Sequence, residues 1–166
     1  MRLIDRTTNN TSVFSGQCES EGYQDGRQGR FGRPLSVMTD KRDKNQLLIV
    51  DQASRAVRTV DVNSRVAGTF VKSNSLSRIR DIKQEEKSGD LYVTADHALY
   101  RITYTQRTVT LISGSTGSSS NGYRDSSLLD SLFYGSHELI FITPKTLLVA
   151  DKYNNKLRIV HMNSDK

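Results

Sequence analysis

Cysteine occurs once in the 166 residues, as Cys18. No intrachain disulfide can therefore form, and a cysteine-ligated zinc site is excluded. Histidine is almost as scarce. His97, His137 and His161 follow no His-x-x-x-His or comparable ligand spacing. Neither a Gly-x-Ser-x-Gly elbow nor a phosphate-binding loop occurs, and the serine-rich run from Ser113 to Ser120 has no base at a recognisable spacing. The best-placed polar pair is His137-Glu138 at the start of an expected inner strand, but adjacent strand residues point to opposite faces, which weakens it as a joint ligand set. The expectation is a protein with no catalytic residues, no metal site and no cofactor. Long apolar runs are missing too. The first residues, Met1-Arg2-Leu3-Ile4-Asp5-Arg6, turn polar at once, unlike a secretory signal, and no window is long enough for a transmembrane helix, so membrane insertion is not expected. Nothing indicates a compartment.

Twenty-four basic residues against eighteen acidic ones give a formal charge of +6 and an isoelectric point near 9.5. Such a balance favours weak attraction to anionic partners. Acids and bases are interleaved along the chain, however, which reads as a general solvated surface. The 35% hydrophobic and 25% charged residues are ordinary for a folded globular protein.

What the chain does contain is one pattern, three times over. Residues 147–160 (LLVADKYNNKLRIV) place two apolar, β-branched runs around a polar turn, the mark of a hairpin between buried strands. Residues 47–60 (LLIVDQASRAVRTV) repeat it, and residues 91–102 (LYVTADHALYRI) repeat it more loosely. The Asp-to-Arg spacing is seven in two copies (Asp51 to Arg58, Asp151 to Arg158) and five in the middle one (Asp96 to Arg101), a two-residue deletion that preserves strand faces. Around these hairpins the expected division is an incomplete unit of outer strands at 1–16, a four-stranded unit at 22–71, a shorter degenerate unit at 76–114, and a unit at 122–166 that lacks its last strand. Gly122-Tyr123-Arg124-Asp125 restarts the pattern one hundred residues after Gly22-Tyr23-Gln24-Asp25. A Ser/Gly-rich connection is expected over 113–121 and a helical turn over 128–133. Four short antiparallel strands in about fifty residues is the size of one blade of an all-β propeller.

The combination Gly-Tyr-x-Asp-Gly, Phe-x-x-Pro, Leu-Ile-Val-Asp followed seven positions later by Arg, and the closing Ala67-Gly68-Thr69 resembles an NHL repeat, most clearly over 22–69 and 122–160. The sequence departs from the family pattern at Ser54, where Asn is common, and at Ser136-His137-Glu138, where Pro-Gly is typical. The resemblance implies a partial β-propeller of four-stranded antiparallel blades. In the repeats, Asp51, Asp96 and Asp151 accept turn N–H groups and Asn154 tolerates the turn conformation, so all four are expected to be structural. Gly22, Gly26, Gly68, Gly114 and Gly122 are expected at crossings between blades.

Two whole and two partial units cannot close a ring of the six or so blades that the resemblance implies. Completion by further blades of a longer chain, or by self-assembly, is expected, the interrupted units at both ends favouring the first. The functional expectation is a non-enzymatic scaffold that binds a protein or glycan through blade loops. The residues expected to contribute are Tyr23, Arg27, Arg30, Arg33, Tyr123, Arg124, Lys152, Tyr153 and Lys156, which fall in corresponding loops. The same basic and aromatic set admits RNA or an anionic glycan as an alternative. A second alternative is a piece of a metal-dependent hydrolase or lyase, since related propellers include such enzymes.

Overall fold

The computed structural model describes residues 1–116 and 121–162. The chain is all-β, built from antiparallel sheets that follow one another along the sequence. Strands β1 (Arg2–Asp5) and β2 (Asn10–Val13) form a two-stranded hairpin. Strands β3 (Pro34–Thr39), β4 (Gln46–Asp51), β5 (Ala56–Asp61) and β6 (Ala67–Lys72) make a four-stranded meander in sequence order. A second meander contains β7 (Ile79–Gln84), β8 (Leu91–Ala95), β9 (Ala98–Ile102) and β10 (Val109–Gly114). Strands β11 (Ser136–Thr143), β12 (Thr146–Asp151) and β13 (Lys156–His161) give three strands to the last sheet among the described residues. Among the described residues none of the sheets closes on itself.

Burial on both faces explains why β4 and β8 read as unbroken apolar runs rather than as alternating patterns. Leu48, Val50 and Val57 pack with Ile82, Leu91, Val93 and Tyr100 of the second sheet. Ile49 and Val60 point the other way, toward Met1 and Phe14 beside the first hairpin. Tyr92 and Leu99 of the second sheet meet Leu139, Leu147, Val149 and Val160 of the third. The first strands of the three larger sheets lie together, β7 packing against both β3 and β11. Asp81 on β7 ties them. It accepts from Ser36 Oγ of β3 at 2.8 Å, from Lys83 Nζ at 2.6 Å and from the Leu139 N–H of β11 at 3.2 Å.

Strand register corrects the alignment of the middle repeat. Asp51 pairs with Ala56 across a four-residue turn and Asp151 pairs with Lys156 likewise, but in the second sheet Ala95 pairs with Ala98 across a two-residue turn. The residues at the positions of Asp51 and Arg58 are therefore Ala95 and Tyr100, both buried, rather than Asp96 and Arg101. Asp96 lies in the turn itself with φ +48°, and Arg101 pairs with Asp90 at 2.8 Å. An apolar pair has replaced an ionic one.

The segment expected as a helical turn over 128–133 opens with a single such turn, in which the Ser127 carbonyl accepts from the N–H groups of Asp130 and Ser131. In the first hairpin β2 ends at Val13, which pairs with Arg2. The Ser/Gly-rich stretch is in part strand, since β10 runs through Gly114, and its residues 117–120 lie outside the described residues, as do 163–166.

Candidate functional site

Two corresponding loops, 22–33 and 122–135, are each held by a buried arginine. Arg58, on β5, is fully buried. Its Nε donates to Gly68 O at 3.0 Å, Nη1 to Arg30 O at 3.1 Å, and Nη2 to Gln24 O at 2.9 Å and to Asp25 Oδ1 at 2.7 Å. The buried Asp51 stands beside it, with Oδ2 at 3.5 Å from Nη1. Asp51 also accepts from the N–H groups of Gly32 (3.1 Å) and Arg33 (2.7 Å) and from Ser54 Oγ (2.6 Å). The guanidinium is covered by Tyr23 and Phe31, with ring centroids at 4.6 and 5.0 Å.

Arg158 repeats this arrangement. Its Nη1 donates to Asp151 Oδ2 at 2.8 Å and to Leu132 O at 3.0 Å, and its Nη2 donates to Arg124 O at 2.9 Å and pairs with Asp125. Tyr123 and Phe133 cover it at 4.8 and 4.9 Å. Asn154 stands where Ser54 does, its Nδ2 donating to Asp151 Oδ2 and to Gly122 O, both at 2.8 Å. The positive φ of the turn belongs to the next residue, Asn155, at +52°, as it does to Arg55 in the first sheet. The aspartates thus cap the loops ahead of β3 and β11 as well as their own turns. Buried charge is tolerated because each carboxylate is met by an arginine and by N–H or O–H donors.

The expected binding residues fall into two kinds. Tyr23 and Tyr123 spend one face on the buried arginines, and Lys72 and Lys156 lie over their rings at 3.9 and 4.8 Å. The Tyr123 hydroxyl donates to Asp125 at 2.6 Å, which raises the tyrosine pKa and lowers that of the carboxyl. Arg30 and Arg124 supply carbonyls to the locks, the Arg30 side chain donates to Gln24 at 2.9 Å, and Arg33 reaches Gln52 at 3.3 Å. Arg27 is exposed. Lys152, Tyr153 and Lys156 lie in or beside the last turn and are exposed.

Sequence reasoning missed the neighbours that make the last turn a continuous surface. The rings of Tyr134 and Tyr153 lie 5.0 Å apart at 50°, 39% and 52% exposed. His97, from the turn of the second sheet, is 5.6 Å from Tyr134. Its Nδ1 accepts the Gly135 N–H at 3.1 Å, so the ring proton sits on Nε2, which faces Asp96 at 3.4 Å. Asp96 in turn pairs with Arg78 at 3.0 Å. The Tyr134 N–H donates to Asp151 Oδ1 at 2.8 Å, and the Tyr153 N–H to Tyr134 O at 3.0 Å. The arginine lock therefore fixes the backbone of the aromatic shelf. The shelf is an amphipathic platform, with Lys152 Nζ 4.9 Å from the Tyr153 ring centre. The only advance signal was Tyr153 itself, since His97 comes from the preceding repeat and Tyr134 from a distant loop of the same one. Replacing His97 by Ala strands the Gly135 N–H. The expected result is a loss of about 1–2 kcal/mol and faster amide exchange at Gly135 and Tyr153, read by hydrogen-exchange NMR.

His97, His137 and His161 are not brought together. His137 gives its carbonyl to Thr94 Oγ1 and Glu138 is exposed on β11, while His161 lies near Thr146 on the last sheet. Among the described residues no three His, Cys, Asp or Glu side chains are grouped so as to hold a metal ion. A wide cleft of about 1320 Å³ opens between the second and third sheets, lined in part by Tyr92, Leu111, Leu128, Leu129, Lys145 and Met162.

No family description matches the chain, and no curated protein does. Solved structures do. An auxiliary nutrient binding protein from Bacteroides ovatus aligns over 95% of this chain and 42% of its own length, with 16% identity and a TM-score of 0.66. A structural-genomics protein of unknown function from Bacteroides thetaiotaomicron aligns over 92% and 39%, with 14% identity and a TM-score of 0.65. The chain spans about two fifths of these relatives, and at these identities the likeness is one of fold.

Proposed function

We propose that the sheets are successive blades of an NHL-type β-propeller and that the chain is a non-enzymatic binding module. Its ligand is a carbohydrate-type nutrient seated on the shelf of Tyr134 and Tyr153. The observation that carries this reading is the shelf itself: two exposed tyrosines, backbone-tethered to each other and to a buried Asp–Arg pair, with a lysine at the rim. Tyrosine offers large contact area with little side-chain entropy to lose, and its face suits the C–H surface of a sugar ring while its hydroxyl and the nearby lysine suit sugar oxygens. The meander order, the adjacent first strands and the fold shared with a nutrient binding protein support the wider assignment.

Isothermal titration against a panel of oligosaccharides tests the reading. Saturable binding is expected, weakened at least about tenfold by Tyr153→Ala with the unfolding midpoint little changed. A panel with no binder, or a binder indifferent to Tyr153→Ala, overturns it. Binding to single-stranded RNA that falls steeply with salt would favour the nucleic-acid alternative instead.

A further inference from the structure

We infer that His97 is a pH-sensitive clasp on the aromatic shelf: its neutral ring holds the shelf in shape, and a second proton on the ring releases it. The consequence for ligand binding rests on the reading of that shelf as the binding surface. The peptide joining Tyr134 to Gly135 is gripped at both ends. Its N–H donates to His97 Nδ1 at 3.1 Å, and its carbonyl, Tyr134 O, accepts the Tyr153 N–H at 3.0 Å. A peptide is planar, so tilting the N–H away from one partner swings the carbonyl away from the other. Gly135, with φ +70°, is a joint that a residue with a side chain would resist. The Tyr153 ring rests on it so closely that a Cβ there would run into the ring. Moving this one plane therefore moves both tyrosines.

The first sheet has the same joint with a different acceptor. There the N–H groups of Gly32 and Arg33 both go to the Asp51 carboxylate, at 3.1 and 2.7 Å. In the third sheet Asp151 keeps the first of the pair, the Tyr134 N–H, and the second has passed to a histidine of the neighbouring sheet. The exchange changes what a proton does. A carboxylate keeps acceptor lone pairs in either protonation state, whereas imidazole loses its acceptor nitrogen when it becomes imidazolium.

Once protonated, the ring presents N–H groups at both nitrogens. Two donors then face each other at the contact with Gly135, and His97, only 7% exposed, leaves little access for water to take either. On its other side the ring meets Asp96 Oδ2 at 3.4 Å, a carboxylate already paired with Arg78 at 3.0 Å. Asp96 meets an Nε2–H in either state, so the conflict lies at Gly135. Tyr134 is the other titratable group against the ring, with Tyr153 and Lys152 beyond it. The His97 backbone is pinned by Ser115, whose N–H donates to its carbonyl at 3.1 Å. On either side of the yielding peptide, the Tyr134 N–H is held by Asp151 and the Ser136 N–H by Asp96 O at 2.6 Å, which confines the change to that plane. Histidine is the side chain whose ordinary titration falls between about pH 5 and 8, and the clasp is expected to release toward the acidic side.

NMR of the isotope-labelled chain between about pH 8 and about pH 5 tests the clasp without any ligand. The Gly135 and Tyr153 amide signals are expected to shift with the same midpoint as the His97 ring nitrogens, while the Arg33 amide, held by Asp51, does not follow that midpoint. His97→Asn offers an amide oxygen that can accept the same N–H and takes up no proton, so Gly135 and Tyr153 are expected to lose the response. Calorimetric titration with the oligosaccharide of the panel that binds at neutral pH gives the functional readout. Its affinity for the unaltered chain falls at least about tenfold at the acidic end, and His97→Asn removes most of that fall. Amides that ignore the titration of the ring, or a His97→Asn chain with the full pH response, overturn the proposal. So does binding that is unchanged by pH while the amides shift. Amides that shift as described, with no oligosaccharide bound at any pH, sustain the clasp and sink only the carbohydrate reading of the shelf.

Discussion

Arg58→Met is expected to cost about 3–5 kcal/mol of folding stability, measured as the shift of the urea unfolding transition. The substitution removes the guanidinium that spans Gly68, Arg30, Gln24 and Asp25, and it leaves the carboxylate of Asp51 buried without its cation. Against a total of about 5–15 kcal/mol for a domain, that loss brings the first sheet close to unfolding. Asp51 keeps its N–H and hydroxyl donors, which sets the lower end of the range. The informative comparison is the double variant Asp51→Ala, Arg58→Tyr, which copies the Ala95 and Tyr100 pair that the second sheet carries at these register positions. It is expected to be more stable than Arg58→Met by at least about 1 kcal/mol, because no buried charge is orphaned, though the N–H groups of Gly32 and Arg33 lose their acceptor. A double variant no better than the single one would show that the lock does not act as a unit.

Gly114→Ala is expected to cost roughly 3 kcal/mol. Gly114 has φ +85°, and a Cβ there would run into the His97 carbonyl, a backbone atom that cannot move aside cheaply. Displacing that carbonyl also breaks the bond from Ser115 N–H, 3.1 Å long. Because His97 holds Gly135, the strain is transmitted toward the aromatic shelf. Gly26→Ala is the matched control. Its φ is +103° but nothing lies within 4 Å of the added atom, so only the backbone preference is lost, about 1–2 kcal/mol. Urea titrations of both variants separate collision from conformation; equal losses would mean that the contact with His97 is relieved by small shifts.

The strands were legible because runs such as LLIVD, buried on both faces, and LLVAD, buried on one face and half-buried on the other, admit few other readings. The Asp-to-Arg spacing of seven was legible as well, but as turn chemistry. That the arginine reaches back to carbonyls some thirty residues earlier depends on how the loops fold over it, which no local pattern announces. The middle repeat misled by one residue: Asp96 resembles Asp51 in type, whereas register aligns Ala95 with it, so a polar residue in a tight turn attracted an alignment that packing rejects. The shelf was the least visible feature. Tyr134 lies in a loop that no pattern singled out, and His97 comes from the neighbouring sheet, so their meeting is a product of sheet-on-sheet packing and not of spacing.

The locks read main chain more than side chain. Arg58 holds the carbonyls of Gln24 and Arg30, and Arg158 holds those of Arg124 and Leu132, although the second loop is two residues longer between those points. Apart from one aspartate and two covering rings, the anchor is indifferent to what the loop spells. Each loop is therefore a replaceable cassette: its ends are clamped by a fixed socket while its outward residues are free to change, so new ligand preferences can be tried without renegotiating the fold.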